Sequence, residues 1–221
     1  MDAPPPPMKL TRRELLLGAG GLLVAAGAGV ATARYLLARR GRVAATRVAL
    51  VYPEPRPLSP FALTAADGSG FDAGRLLGHY TFVLFGYTNC PDVCPTTLLE
   101  LRHVRALLAD LPAAALPAVV LVTVDPTRDT PARLGEYTAH FDPSFTGLTG
   151  SEAAIGSLAR SLGAAIERGE ARDGNYSVDH TAALFLVDPA ARLAAVFPTP
   201  HEAATIAADY RAIRARPRRA G

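Results

Sequence analysis

The sequence predicts an α/β domain with a mixed central sheet, preceded by a single N-terminal transmembrane or signal-anchor helix. Three observations predict this arrangement. Two near-continuous apolar runs of strand length are each followed by an amphipathic helical pattern, a late pair of strands is joined by a short turn, and 19 uncharged residues lie near the N-terminus. Strands that are buried on both faces lack polar alternation, so the domain is expected to carry helices on both faces of its sheet.

The composition is that of a folded protein with a sizeable core. Of the 221 residues, 49% are hydrophobic, which excludes a disordered chain. The chain contains two cysteines, too few for a disulfide-rich mini-protein. The length suits one domain of about 150–200 residues with an appendage.

Residues 15–33 (LLLGAGGLLVAAGAGVATA) contain no charged side chain and are long enough to cross a hydrocarbon core as a helix. Three interpretations stay open. We favour an uncleaved anchor; a cleaved signal is the second, because residues 31–33 fit the small-x-small cleavage pattern. The third is a twin-arginine address, because residues 11–15 (TRREL) resemble that motif. Arginines lie on both sides, so the positive-inside rule does not fix the orientation. All three interpretations place the folded domain at or across a membrane.

These features divide the chain into five segments. Residues 53–60 (PEPRPLSP) are interpreted as extended chain that enters the domain. The expected segments are a cytoplasmic region at 1–14, the transmembrane or signal-anchor helix at 15–37, a linker at 38–57, the folded domain at 58–216 and a basic tail at 217–221.

Basic charge is concentrated at the two ends of the chain. Residues 1–47 carry eight basic and two acidic side chains, whereas residues 48–221 carry 15 basic and 18 acidic side chains. Five of those 15 follow Tyr210. The domain between the ends is therefore acidic and lacks a stripe that would neutralise phosphates, so we expect no nucleic-acid partner.

The first part of the domain is predicted to form a small hairpin, a strand and a helix. Residues 61–64 and the Asp67-Gly68 turn indicate the hairpin. Residues 80–87 (YTFVLFGY) form a strand that is buried on both faces. A helix over residues 95–109 follows, because four apolar side chains fall on one helical stripe. They are Leu98, Leu101, Val104 and Leu108.

A second buried strand, residues 116–124 (LPAVVLVTV), leads to two further helices. Thr130 caps the first of them, and Pro131 can occupy its first position. Ser151 caps the second. The predicted inner faces carry Leu134, Tyr137 and Phe141 in the first helix, and Ile155, Leu158 and Leu162 in the second.

The domain is predicted to end in a strand pair and a helix. Residues 183–187 and 193–197 are short apolar runs, and the five residues between them include a proline, which fits a hairpin. The last helix is expected to start near Pro200. Its buried face carries Ile206, Tyr210 and Ile213.

Both cysteines lie just after the first buried strand, at the start of the following helix. They are Cys90 and Cys94, within residues 88–95 (TNCPDVCP). The N-terminus of a helix carries partial positive charge, which favours thiolate over thiol. A four-residue separation can bring both sulfurs to one side of a helical turn. The pair can therefore form a disulfide or hold a soft metal ion.

Among the five histidines, His180 is placed to act with these thiols. It falls in residues 176–181 (YSVDHT), immediately before the predicted strand at 183–187. In a thioredoxin-like topology the loop that enters this strand lies against the start of the active-site helix, so His180 is expected to face the sulfurs. Asp179 either orients the imidazole as a hydrogen-bond acceptor or caps the loop.

Two thiolates and one imidazole suit copper better than zinc. Soft sulfur favours Cu(I), and imidazole also accepts Cu(II). Structural zinc usually takes four closed ligands, and the sequence shows no obvious fourth donor. The preferred interpretation is a three-donor, exposed site that can pass its metal on.

Residues 85–95 (FGYTNCPDVCP) resemble the F-G-[FY]-T-x-C-P-D-[IV]-C-P signature of the Sco/SenC family. Residues 124–130 (VDPTRDT), 137–141 (YTAHF) and 176–181 are similar to three further stretches of that family, in the same order. The resemblance covers residues 60–214, and the N-terminal hydrophobic segment matches the family's single anchor. The family has a thioredoxin-like fold, so the resemblance implies the same fold here.

The resemblance implies that Cys90, Cys94 and His180 bind copper. It further implies a metallochaperone, not an enzyme, that receives copper from a donor protein and delivers it to the dinuclear copper site of cytochrome c oxidase subunit II. Such a protein would be held in the inner membrane of a bacterium by a single span, with its domain in the periplasm. Asp125 and Arg128 are expected to form an ion pair that holds a loop near the site.

Two alternatives use the cysteines differently. A thiol–disulfide oxidoreductase would use Cys90 and Cys94 as a redox-active pair, keep the oxidase copper-site cysteines reduced and need no His180. Thioredoxins place a proline where Asp179-His180-Thr181 stands, which disfavours a general reductase. A peroxiredoxin-like peroxidase fits least, because the chain lacks the proline and the cysteine spacing of P-x-x-x-T-x-x-C.

Overall fold

A mixed sheet forms the centre of the domain. The computed structural model describes residues 29, 46–169 and 176–216. Within these residues the strands are β1 (Leu50–Pro57), β2 (Leu63–Ala65), β3 (Gly70–Phe71), β4 (Thr81–Gly86), β5 (Ala118–Thr123), β6 (Thr146–Thr149), β7 (Ile166–Arg168), β8 (Val178–His180), β9 (Leu184–Val187) and β10 (Arg192–Phe197). The α-helices are α1 (Val93–Leu107), α2 (Pro131–Phe141), α3 (Glu152–Leu162) and α4 (Ala203–Arg214).

Eight of the described strands form one sheet in the order β1-β10-β9-β4-β5-β6-β2-β3. The pairs β4–β5 and β5–β6 are parallel, and β9 pairs antiparallel with β4 and with β10. β2 and β3 form the predicted small hairpin. β7 and β8 form a separate two-stranded sheet. The predicted α/β domain with a mixed central sheet is therefore confirmed.

Both faces of the sheet are covered by apolar layers. Along β4, Phe82 and Leu84 belong to the layer that includes side chains of α1, α2 and α4. Val83 and Phe85 belong to the opposite layer, which includes side chains of α3. Alternate residues of a strand point to opposite faces, so a strand with helices on both sides requires an uninterrupted apolar run. This explains why the sequence of β4 shows no polar alternation.

The predicted helix starts of α2 and α3 are confirmed. The Thr130 hydroxyl accepts a hydrogen bond from the backbone N–H of Arg133, with Pro131 at the first helical position. The Ser151 hydroxyl accepts one from the N–H of Ala154. Each cap satisfies a backbone donor that has no partner inside the helix.

The last helix begins at Ala203, three residues later than the predicted start near Pro200. The carboxylate of Glu100 accepts a hydrogen bond of 2.7 Å from the backbone N–H of Ala203. Because this acceptor comes from α1 and not from a neighbouring residue, no local pattern marks the boundary.

The end of the predicted linker at 38–57 is part of the sheet. β1 pairs antiparallel with β10, with a register shift between Val51 and Arg56. Its prolines have no N–H to donate, but an edge strand has one side without a partner strand and therefore tolerates them. The extended conformation predicted for this segment is correct, and its pairing was not predicted.

The predicted helix at 15–37 lies outside the described residues, apart from Gly29. Within the described part of the chain, no helix combines the length and the apolar character needed to cross a membrane.

A buried carboxylate holds the segment that leads into β1. Asp209 in α4 is 1% exposed and accepts three backbone hydrogen bonds of 2.7–2.9 Å, from the N–H groups of Arg47, Val48 and Ala49. Hydrogen bonds to a charged acceptor are stronger than neutral ones. This carboxylate therefore fixes the start of the domain against its last helix.

Replacing Asp209 by alanine is expected to lower the free energy of unfolding by about 2–4 kcal/mol, because three donors lose a charged acceptor. Urea denaturation of the variant measures this change. Asp110→Ala is the control, since Asp110 is an exposed aspartate paired with Arg211, and its effect should be much smaller. Equal effects of the two substitutions would contradict a special role for Asp209.

Candidate metal centre

The two cysteines occupy the connection between β4 and α1. Cys90 lies in the turn, where its N–H donates to the carbonyl of Tyr87 at 3.1 Å. Cys94 lies in the first turn of α1 and is 2% exposed, whereas Cys90 is half-buried. Both are free thiols. Asp92 immediately precedes α1, and its carbonyl accepts the N–H of Thr96 at 3.2 Å.

His180 reaches Cys94 from 86 residues further along the chain. Its Nε2 lies 3.8 Å from the Cys94 sulfur, and its ring meets the ring of Tyr87 edge to face, with centroids 6.4 Å apart. The residue ends β8, opposite Ile166 of β7, so it belongs to a short strand and not to a loop. The predicted approach of the imidazole to a cysteine is thus found, with His180 in a short strand where a loop was expected.

The other ring nitrogen indicates which tautomer is present. His180 Nδ1 lies 3.3 Å from the carbonyl oxygen of Thr181. A carbonyl can only accept a hydrogen bond, so the proton is assigned to Nδ1. The lone pair of Nε2 is then directed to the side where the Cys94 sulfur lies, which is the arrangement that a metal-binding imidazole needs.

Asp179 does not make this contact. Its side chain is exposed, and its backbone lies opposite that of Glu167 in the register of β7 and β8. Successive side chains of a strand point to opposite sides, so Asp179 and His180 diverge. Of the two roles considered for Asp179, orienting the imidazole falls instead to the carbonyl of Thr181.

The three predicted donors are not gathered into a closed site. No group of three or more His, Cys, Asp or Glu side chains among the described residues is arranged to hold a metal ion. Cys94 and His180 are brought together, and Cys90 neighbours Cys94 from the turn.

Burial sets the protonation of the two groups that meet. It raises the pKa of Cys94 strongly, and the neighbouring Cys90 thiol raises it further. Burial also lowers the pKa of His180, against smaller opposing effects of the Thr181 carbonyl and the Asp179 charge. Near neutral pH the pair is a thiol and a neutral imidazole. The position at a helix N-terminus was expected to favour the thiolate, whereas burial favours the thiol at Cys94.

Two buried carboxylates beside the site have larger roles than the sequence indicated. Asp125 forms the expected ion pair with Arg128 and also accepts a hydrogen bond from the hydroxyl of Tyr176. Asp129 accepts two hydrogen bonds from Thr88 and one from Thr123. Both aspartates fall in the motif at 124–130. The motif indicated that this segment is important, but it did not predict which side chains the aspartates would contact.

A second histidine lies near the start of α1. His201 Nδ1 is 3.2 Å from the hydroxyl of Thr97, and Nε2 is 3.3 Å from the carbonyl of Phe197. Burial lowers its pKa. Thr97 lines the same small pocket as Cys94 and His180, but both nitrogens of His201 already have polar neighbours, so we assign it a structural role.

The sequence model of the SCO1/SenC family matches residues 53–215, which is most of the chain and nearly all of the described domain. The chain belongs to the SCO1/SenC family. Among its relatives, an SCO2-like protein of Rickettsia conorii is 38% identical over 130 residues, which are 58% of this chain and 62% of that protein. A protein of Stutzerimonas stutzeri named a putative copper-binding protein is 37% identical over 142 residues, 63% of this chain and 68% of that one. The first match thus spans less than two thirds of the relative's length.

Solved structures of Sco proteins share the fold of this SCO1/SenC domain. Arabidopsis thaliana ScoI with copper bound is 32% identical, with a TM-score of 0.65 over 71% of this chain and 97% of that one. Bradyrhizobium japonicum ScoI with copper bound is 35% identical, with a TM-score of 0.63 over 70% and 98%. The apo Sco1 protein of Thermus thermophilus is 34% identical, with a TM-score of 0.68 over 78% and 99%. The predicted thioredoxin-like fold is therefore that of the Sco proteins.

Gly86, the last residue of β4, leaves the space that the Cys94 sulfur fills. A Cβ atom at this position would lie 2.9 Å from Cys94 Sγ and 3.0 Å from Leu121 Cδ1. Gly70 makes a matched comparison, because it is also a strand residue and a Cβ there would meet no atom within 4 Å.

Gly86→Ala is expected to displace the Cys94 sulfur and to lower the free energy of unfolding by about 1–3 kcal/mol, because the site is already closely packed. Gly70→Ala should leave it within about 0.5 kcal/mol of the parent. Chemical denaturation measures the free energy of unfolding of both variants. The rate of Cys94 alkylation shows whether the sulfur has been displaced. Equal stability and equal alkylation in the two variants would contradict the close packing.

Proposed function

We propose that this SCO1/SenC protein is a membrane-anchored copper metallochaperone that delivers copper to the dinuclear copper site of cytochrome c oxidase subunit II. The observation that carries the proposal is the 3.8 Å approach of His180 Nε2 to the Cys94 sulfur. Cys90 supplies the third donor from the adjacent turn. Copper is the cargo of such a protein, so the site must bind it and also release it.

The donor set suits this cargo. Two sulfurs favour Cu(I), and the imidazole nitrogen also accepts Cu(II). Three protein donors leave a position open, through which a receiving site can take the metal. The copper-bound structures of the Arabidopsis and Bradyrhizobium ScoI proteins, 32% and 35% identical to this chain, support the choice of copper.

We also propose where the protein acts. The uncharged segment at 15–33 would anchor it in the inner membrane of a bacterium, with the folded domain, which includes β1, in the periplasm. Its partners would be a copper donor protein and oxidase subunit II. The acidic domain and the lack of a basic stripe support a protein partner over a nucleic acid.

His180→Ala in the full chain is expected to weaken copper binding more than tenfold, because even the hydrogen-bond partners of metal ligands are worth about 10–100-fold in affinity. Competition with a Cu(I) chelator measures the dissociation constant. His103→Ala is the control, since His103 is exposed and lies in the middle of α1. Unchanged affinity and an unchanged Cu(II) spectrum in His180→Ala would remove His180 from the ligand set.

Copper binding is expected to release at least one proton at pH 7. Cys94 has a raised pKa, so the metal must displace its proton, and affinity should rise with pH by up to about tenfold per unit for each proton released. His180 has a lowered pKa and contributes no proton above its ordinary value of about 6.5. Calorimetry in two buffers of different ionisation enthalpy counts the protons. Binding without proton release would contradict a protonated Cys94.

A second function is favoured by the asymmetry of the cysteines. Half-buried Cys90 can attack a disulfide of the oxidase subunit and form a mixed disulfide, which releases the first partner thiol. Cys94 then attacks the Cys90 sulfur and releases the second thiol. The partner gains two electrons, and Cys90 and Cys94 are oxidised to a disulfide.

The two functions differ in their need for His180. A thiol–disulfide oxidoreductase should reduce the copper-free subunit equally well with and without His180→Ala, and Cys94→Ser should trap the mixed disulfide. Quenching the reaction at set times and labelling the free thiols measures both the rate of reduction and the amount of mixed disulfide. A metallochaperone loses copper in His180→Ala and forms no trapped species with the subunit.

A further inference from the structure

We infer that the turn at residues 123–130 sets the separation between the two cysteines and His180, through two buried carboxylates that act as positioning groups. Asp129 holds the turn that carries Cys90, and Asp125 holds the segment that carries His180. The inference rests on the proposed copper function for its consequence, and on the contacts of the described residues for its geometry.

Asp129 is attached to the cysteine turn by two hydrogen bonds. It is 1% exposed, and its carboxylate accepts the backbone N–H of Thr88 at 3.1 Å and the Thr88 hydroxyl at 2.6 Å. Arg133 completes this attachment, since its guanidinium donates to the Thr88 hydroxyl and to the side-chain oxygen of Asn89. The two residues that precede Cys90 are therefore held in place.

Asp125 is attached to the histidine segment on the other side. It is fully buried and accepts the hydroxyl of Tyr176, four residues before His180. The Arg128 guanidinium pairs with Asp125, lies 3.9 Å from the centre of the Tyr176 ring and donates to the Tyr176 carbonyl. Arg168 approaches the same ring at 4.8 Å, so Tyr176 is held by its hydroxyl, ring and backbone.

The two carboxylates belong to one rigid turn. The hydroxyl of Thr123 donates to Asp129 at 2.6 Å and accepts the N–H of Asp125 at 2.9 Å. The N–H of Asp129 donates to the carbonyl of Asp125 at 3.0 Å. Buried polar networks in which each member has partners are rigid. A displacement of either carboxylate is therefore transmitted to the other.

The turn is also joined to the strand that leads to the cysteines. The N–H of Val124 donates to the carbonyl of Gly86 at 2.9 Å, which extends the parallel pairing of β4 and β5 by one bond. The contacts of Asp129 and of Asp125 thus both lie at the C-terminal ends of β4 and β5. The 3.8 Å approach of the imidazole to Cys94 is the separation that they maintain.

The test uses conservative variants of the full chain. Tyr176→Phe keeps the ring under Arg128 and removes the hydroxyl that reaches Asp125. Thr88→Val keeps the side-chain shape and removes the hydroxyl that reaches Asp129. The matched controls are Tyr52→Phe, in β1, and Thr205→Val, in α4, where the hydroxyl also donates to a carboxylate, that of Glu202, at 2.6 Å.

Each site variant is expected to bind copper about tenfold more weakly, which is the usual effect of losing a partner that orients a ligand. In the Cu(II) form, Tyr176→Phe should change the coupling of the imidazole nitrogen to copper that electron paramagnetic resonance measures. Thr88→Val should shift the sulfur-to-copper charge-transfer band in the visible absorption spectrum. The fold-loss of copper affinity in the double variant should be smaller than the product of the fold-losses in the two single variants, because Asp125 and Asp129 share one turn. The controls should bind as the parent does.

A second readout needs no copper. Amide hydrogen exchange should become faster at 178–181 in Tyr176→Phe and at 88–90 in Thr88→Val. If the parent bound no copper, the proposed function would fail, and exchange alone would decide the inference. Any one of three results would overturn the inference that this turn positions both segments. They are unchanged exchange in both segments, unchanged copper affinity in both single variants, and a fold-loss in the double variant equal to the product of the single ones.

Discussion

The parallel pairing of β4 with β5 is the constraint on which the site depends. It ends both strands at one edge of the sheet, with Gly86 opposite Thr123. The turn that holds Cys90 and the turn that holds Asp125 and Asp129 must then lie side by side. The start of α1, the Asp129 contact with Thr88 and the approach of the His180 segment all follow from that shared edge.

The same burial that builds the core controls the chemistry of the site. Cys94 occupies the space that Gly86 leaves open, and the resulting loss of solvent raises its pKa. His180 loses solvent too, and its pKa falls. Both groups are therefore uncharged when they meet. A neutral thiol beside a neutral imidazole can be buried without a compensating charge, so the pair is stable in the absence of a cation.

The parts of the structure that local sequence pattern encodes could be predicted from the sequence. The apolar run of β4, the Thr130 and Ser151 caps and the late hairpin all follow from periodicity or from residue type within a few positions. The meeting of His180 with Cys94 was expected from the topology and from the family resemblance. The partners of Asp125 and Asp129, the pairing of β1 and the protonation of Cys94 were not predicted, because each depends on neighbours that are distant in sequence or on depth of burial.

The edge strand β1 has a consequence for association between molecules. Its sequence, LVYPEPRP, has proline at alternate positions from Pro53 to Pro57. Exposed strand edges recruit further strands and so promote polymerisation, and proline prevents this because it removes the donor that a new strand would need. Among the described strands β1 is the last on its side of the sheet, and the prolines that made this segment look like a linker leave it with fewer N–H donors for any further strand.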